Sequence, residues 1–228
     1  MLNKISHNIW TVEGEAVSFY GMPYTTRMTV IRLKNNALWL HSPLAISEEL
    51  IQELKNLGEV KFLISPNKLH HLFLPDWIKQ YPNALTFSSP GLKEKRTDIQ
   101  FNKALQMTAD PLWEEEIDQT IFKGSSAMQE VIFLHKSSKT LILTDLIENF
   151  KPDTFNWWQK PIAKFSGIVS PHGKTPLDWR MSFIFGKKAA KKSFETMLQW
   201  QPEHIIISHG KCIIGNGTEF LKSSFSWV

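Results

Sequence analysis

Two adjacent histidines close the run Ser65-Pro66-Asn67-Lys68-Leu69-His70-His71, which follows an apolar stretch (residues 60–64) and precedes a segment of helical spacing. Imidazole is a metal ligand by type, since its neutral form offers a nitrogen lone pair near physiological pH. Two more residues stand in comparable places. Asp145 comes directly after an apolar strand predicted over residues 140–144, and His209 directly after one predicted over residues 204–208. In layered α/β architectures strand ends open onto the crevice where ligands bind, so His70, His71, Asp145 and His209 are expected to converge. Three imidazoles and one carboxylate suit one divalent metal ion, zinc or iron. Each residue alone has a plainer reading: His-His pairs are common on surfaces, an Asp after a strand caps a turn, and a His before Gly sits in one. Their joint placement carries the expectation of a site.

The elements that must position these residues follow from periodicity. Apolar and β-branched runs at residues 9–12, 28–33 and 38–41 predict antiparallel strands. Ser47, then Glu48 and Glu49, a stripe of Leu50, Ile51, Leu54 and Leu57, and Gly58 predict a capped amphipathic helix. A strand (60–65), a helix (72–81) and a strand (85–88) follow; residues 117–122, 130–135 and 140–144 then predict a second strand group. Residues 150–173, rich in Trp, Pro and Lys, show no period and are expected to be an irregular connection. Thr175-Pro176 reads as an N-cap with proline at the first helical position. Helices are expected over 187–200 and 218–227, with a strand over 204–208 between them. Two strand groups, each followed by helices, predict an α/β (α+β) fold of four layers, an αββα sandwich, in a single domain over residues 1–228.

The bulk numbers agree with one globular unit. A chain of 228 residues buries roughly 70% of its unfolded surface. Nine Trp and fifteen Phe make its interior or a pocket wall aromatic. A net charge of +4 permits an anionic partner without implying nucleic acid, and the lysines at 187, 188, 191 and 192 read as a solvated helix face. The single Cys212 excludes an intrachain disulfide and reads as a packed thiol. With no signal-like start and no membrane-length apolar window, the expected location is cytoplasmic, with no membrane or nucleic-acid partner.

The order of elements, with Asp145 and His209 closing strands, resembles the metallo-β-lactamase-like hydrolase superfamily over nearly the whole chain. That family's Thr/Ser-His-x-His-x-Asp-His motif, laid on residues 65–71, places its first two histidines on Pro66 and Lys68, its aspartate on His70 and its last histidine on His71. Its third first-site histidine falls near Gly124-Ser125, its bridging aspartate on Asp145 and its late histidine on His209. The resemblance therefore implies a lost first metal site and a second site with a ligand at every position. His41 falls where the family has an aspartate supporting the metal loop, which makes it either a supporting residue or core.

On that resemblance the expected activity is single-metal hydrolysis of an ester, thioester, amide or phosphoester by metal-activated water. The expected substrate is a small molecule, anionic or carbonyl-containing. Lys68, projecting toward the lost site, is expected to polarise the substrate oxygen, and His172, in the irregular connection, to shuttle a proton. Two other readings are a non-catalytic relative with a degenerate site, and an iron-dependent redox relative.

Overall fold

The computed structural model describes residues 1–19 and 21–228. Its strands sort into two sheets. The first takes seven strands in chain order: β1 (Asn3–Ser6), β2 (Ile9–Phe19), β3 (Met22–Arg32), β4 (Ala37–His41), β5 (Glu59–Ser65), β6 (Leu85–Ser88) and β7 (Lys103–Ala104). Pairing is antiparallel from β1 to β4 and parallel from β4 to β7. The second sheet has β8 (Ile117–Phe122), β9 (Glu130–His135), β10 (Thr140–Leu143) and β11 (His204–Ile207); β8, β9 and β10 are antiparallel and β11 joins β10 in parallel.

Three buried clusters define the layers. Between the sheets lie Trp39, Phe62 and Phe87 from the first and Phe133, Ile142 and Ile206 from the second, with Trp113 wedged edge-on against Phe62 and Phe87 at 5.5 and 4.7 Å between centroids. The outer face of the first sheet carries α1 (Glu48–Leu57), α2 (Leu74–Gln80) and α3 (Leu92–Lys95) through Leu50, Leu54, Trp77 and Leu92. The outer face of the second carries α5 (Leu177–Met181), α6 (Lys187–Gln199) and α7 (Gly217–Ser224) through Trp179, Ala190, Met197 and Leu221. The αββα sandwich is the observed architecture, and much of the aromatic content is core. The predicted cap of α1 is present: Ser47 Oγ accepts the Leu50 N–H at 3.2 Å and the Gly58 N–H closes onto Leu54 O. No helix among the described residues is long and apolar enough to cross a membrane.

The structure corrects three expectations. The opening strands run far beyond their apolar centres into a long β2–β3 hairpin, because backbone pairing continues through polar residues such as Glu13 and Arg27. Residues 150–173 contain a helix, α4 (Gln159–Ser166), whose buried face is only Gln159 and Ala163; so narrow a stripe leaves little periodic signal. Before α5, Pro176 is the N-cap rather than the first helical residue, and the buried Thr175 hydroxyl has no partner among the described residues.

Two histidines are absorbed into the interior. His41 is 1% exposed, its ring stacked on Trp39 and edge-on to Phe133, with Nε2 unpartnered. Burial, with the neighbouring His70 adding to it, pushes His41 down to about 3, and burial pushes His135 down to about 4. Both sit below the unfolded value, so the unfolded chain binds more protons in acid: stability is full above about pH 6.5 and is lost as pH falls toward those values. For His41 alone the expected loss between pH 7 and pH 4 is roughly 3 kcal/mol. Urea unfolding across that range should show it, with a shallower slope for His41→Phe; an unchanged slope in that variant would assign the acid sensitivity to other groups.

Candidate metal centre

The site is assembled from the ends of four strands. After β5 the chain turns on Asn67, which is fully buried; its Oδ1 accepts the N–H groups of Leu69 and His70 at 2.8 and 3.1 Å, an Asx turn that fixes where His70 emerges. The Asn67 amide donates across the sheets to Thr144 Oγ1 (2.8 Å), Asp145 Oδ2 (2.5 Å) and Glu130 Oε2 (3.2 Å). Glu130, also fully buried, accepts the backbone N–H of Thr144 at Oε1 and those of Asp145 and Leu146 at Oε2. One buried carboxylate and one buried amide thus lock the β5 loop to the turn after β10.

The turn after β11 is held from β3. Arg27 donates to the carbonyls of Ile207 and Gly210 and is clamped by Glu13. Gly210 has φ +98, and a Cβ there would lie 2.2 Å from Asn149 O, so no other residue fits after His209. His209 Nδ1 lies 2.6 Å from Thr25 O. A carbonyl only accepts, so Nδ1 carries the proton and Nε2 of the neutral ring presents its lone pair. That lone pair faces Asp145 Oδ1 at 2.9 Å.

His70 mirrors this arrangement. Its Nδ1 is hydrogen-bonded to Ser42 Oγ and its Nε2 lies 3.2 Å from Asp145 Oδ2. Ser42 adopts φ +56, a left-handed conformation that a serine takes at a cost, directly after β4. Donor atoms of His70, Asp145 and His209 all lie within 4.8 Å of one another. With the proton on Nδ1 of both rings, two lone pairs and a carboxylate face one another, an arrangement that is favourable only with a cation, a proton or a metal ion, among them. Burial alone would raise the Asp145 carboxyl, but His70 and His209, with protons on the Nε2 atoms that face it, outweigh burial and hold it well below the usual carboxylate range.

Of the other residues singled out in the sequence, Lys68 and His71 line the same cavity without joining the trio, and His172 and His41 lie elsewhere. His71 is outside the trio: its Nδ1 is 2.7 Å from an Arg96 guanidinium nitrogen, and burial together with Lys95 and Arg96 lowers its pKa. Lys68 is half-buried, with its side-chain end packed over Gly91, where a Cβ would come within 2.7 Å of Nζ. His172 is exposed and lines a separate cavity with Lys164, Lys174 and Arg180. His41 is core, and its chain neighbour Ser42 is the residue that touches the trio.

The trio lines a cavity of about 680 Å³ whose other walls include Leu44, Leu72, Phe73, Met128 and Trp179, with Lys68 and Lys95 also present. Glu148 lines it too, 3% exposed; burial, with Asp145 and Asp178 adding to it, pushes its carboxyl well above the usual range. Tyr24 donates to Glu148 Oε2 at 3.4 Å and stands edge-on to the His209 ring at 5.1 Å. Glu130 and Glu148 went unnoticed in the sequence; the only signal was an acidic residue beginning an otherwise apolar strand, at Glu130, and one following the apolar pair Leu146-Ile147, at Glu148.

No functionally curated protein matches the chain. Among solved structures it is similar to a metallo-β-lactamase from Pontibacter korlensis (12% identity, covering 99% of this chain and 97% of that one, TM-score 0.67). It is also similar to TMB-1 (14%, 98% and 94%, TM-score 0.69) and to the metallo-β-lactamase FIM-1 from Pseudomonas aeruginosa in its mono-zinc form (9%, 99% and 93%, TM-score 0.63). The fold is therefore metallo-β-lactamase-like at great sequence distance. A family model described as a domain of unknown function, DUF4336, matches residues 6–167, and the chain belongs to that family.

Proposed function

We propose that this protein is a hydrolase dependent on one divalent metal ion held by His70, Asp145 and His209. The observation that carries the proposal is the convergence of His70, Asp145 and His209 donor atoms within 4.8 Å of one another, with Thr25 O holding the His209 proton on Nδ1 so that Nε2 is the nitrogen available to a metal. Two imidazoles and one carboxylate fit zinc, and the FIM-1 structure is an instance of this fold in a mono-zinc form. A zinc ion bound there supplies Lewis-acid polarisation of a carbonyl or phosphoryl oxygen and acidifies water.

The chain's own groups give the rest. The apolar walls exclude water from the reacting centre and receive an apolar portion of the substrate. Lys68, at the cavity wall, attracts an anionic group or a developing oxyanion. Glu148, whose carboxyl burial pushes well above the usual range, is the proton donor to the leaving oxygen, nitrogen or sulfur. The substrate class is an ester, thioester, amide or phosphoester with an apolar substituent.

The same donor set is that of iron(II) enzymes of the two-histidine, one-carboxylate type, which supports a redox reading beside the hydrolytic one. Elemental analysis of protein prepared without a metal-binding tag, followed by screening aryl esters, thioesters and phosphodiesters, separates the readings. About one zinc per chain and chelator-sensitive turnover are expected. Iron with oxygen consumption would replace hydrolysis by redox chemistry, bound metal without any turnover would favour a binding protein, and failure to load any metal would overturn the proposal.

A further inference from the structure

Away from the metal centre, α4 is turned inside out. Its inner contacts are few: Ala163 packs with Phe150, Phe155 and Ile168, and Gln159 donates to Gly21 O at 2.8 Å. Its outward side carries Phe165 and Ile162, 80% and 51% exposed, and the turn leading into it adds Trp157, 84% exposed, and the exposed Trp158. The end of α5 and the segment after it repeat this display with Met181, Ile184 and Phe185, the last fully exposed. The two elements abut, since Arg180 donates to Ser166 O at 2.9 Å and Ser166 Oγ accepts the Leu177 N–H. Large apolar side chains shown in such number on neighbouring elements mark a contact surface.

At this junction lies a cavity of about 440 Å³ lined by Lys164, Phe165, His172, Lys174 and Arg180, with no acidic residue in its lining. Among the described residues none of these basic groups is ion-paired, and Arg180 Nε is buried without a partner. Burial lowers the Arg180 pKa with no carboxylate to offset it. Basic groups gathered around a hollow without counter-charge favour an anion there.

The occupant follows from this pairing of chemistries. A symmetric contact with a second copy would press the same lysines together. A nucleic acid would use the charges and stack on the aromatic rings, but leaves Ile162, Met181 and Ile184 against water. A phospholipid surface satisfies both: its phosphates meet the lysines and its acyl boundary takes the aromatic and aliphatic side chains. We propose that this face docks on anionic phospholipid membranes, with Lys164, His172, Lys174 and Arg180 receiving a headgroup phosphate and Trp157, Phe165 and Phe185 entering the interface. The contact is peripheral, whereas the expectation of no membrane partner rested on the lack of a signal-like start and of a membrane-length apolar window.

Flotation of the full chain with vesicles tests this, using phosphatidylcholine alone and equal parts phosphatidylcholine and phosphatidylglycerol. Binding to the mixed vesicles only, weakened by salt, is expected. Affinity should fall about fivefold for each of Lys164→Gln and Lys174→Gln, and binding should be lost in a Trp157→Ser/Phe165→Ser/Phe185→Ser variant whose melting temperature is unchanged. No association with mixed vesicles, or association that the aromatic variant retains, overturns the proposal. So does binding of inorganic phosphate or an RNA homopolymer without vesicle binding, or lipid-free dimerisation that the aromatic substitutions abolish.

Discussion

Asp145→Ala is expected to abolish tight ion binding while leaving the chain folded, and His71→Ala is expected to leave binding intact. Asp145 is the common partner of the trio, with one oxygen 2.9 Å from His209 Nε2 and the other 3.2 Å from His70 Nε2. Both imidazoles are anchored through Nδ1, to Thr25 O and Ser42 Oγ, so they stay in place when the carboxylate goes and only the charge that unites them is lost. Loss of groups that merely orient a ligand costs about 10- to 100-fold in metal affinity, so removal of the ligand itself should cost at least about 100-fold. Competition with a fluorescent zinc chelator reads the affinity, and circular dichroism checks the fold. His71→Ala is the discriminating control, because its ring is engaged with Arg96 and lies outside the trio. Full affinity in Asp145→Ala, or loss of it in His71→Ala, would remove the three-residue centre from consideration. Affinity should also decline as pH falls, since protons compete for the same Nε2 lone pairs.

Glu130→Ala is expected to give the largest loss of stability of any single change near the site. The side chain is fully buried and satisfies the N–H groups of Thr144, Asp145 and Leu146 as well as the Asn67 amide, at 2.8 to 3.3 Å. Alanine would strand several donors where no water reaches, at a cost of about 3–5 kcal/mol. Burial and the Asp145 charge raise the Glu130 carboxyl, while its backbone partners pull the other way. Glu130→Gln should cost less, since one acceptor oxygen remains. Because Asn67 and Asp145 both hang on Glu130, metal affinity should fall with stability although Glu130 lies outside the trio. Urea unfolding and chelator competition on the same variants test this. A variant that is destabilised but binds metal as tightly as the parent would show that Glu130 supports the fold without positioning the site.

The layer order was readable because it rests on local periodicity: Leu50 and Leu54 at helical spacing, the apolar runs of β5 and β9, and a capping serine at 47. The helix at 159–166 escaped because its buried face is only Gln159 and Ala163 while Ile162 and Phe165 point outward, which inverts the usual relation between pattern and burial. Asp145 and His209 were found from their place at strand ends, and the structure brings them together with His70. His70 and His71 could not be told apart by sequence, since adjacent residues on a turn point in different directions and the choice was made by the Asn67 Asx turn and by Ser42 across the sheet.

Sequence alone therefore determined the elements, their order and the residue types available at strand ends, because each depends on neighbours within a few positions along the chain. Tertiary structure decided which of those residues share a centre, which nitrogen of each imidazole faces it, and which carboxyls are buried behind it. Those choices rest on contacts such as Thr25 with His209 and Asn67 with Glu130, made between residues 184 and 63 positions apart, where hydrogen-bond geometry rather than local pattern sets the outcome.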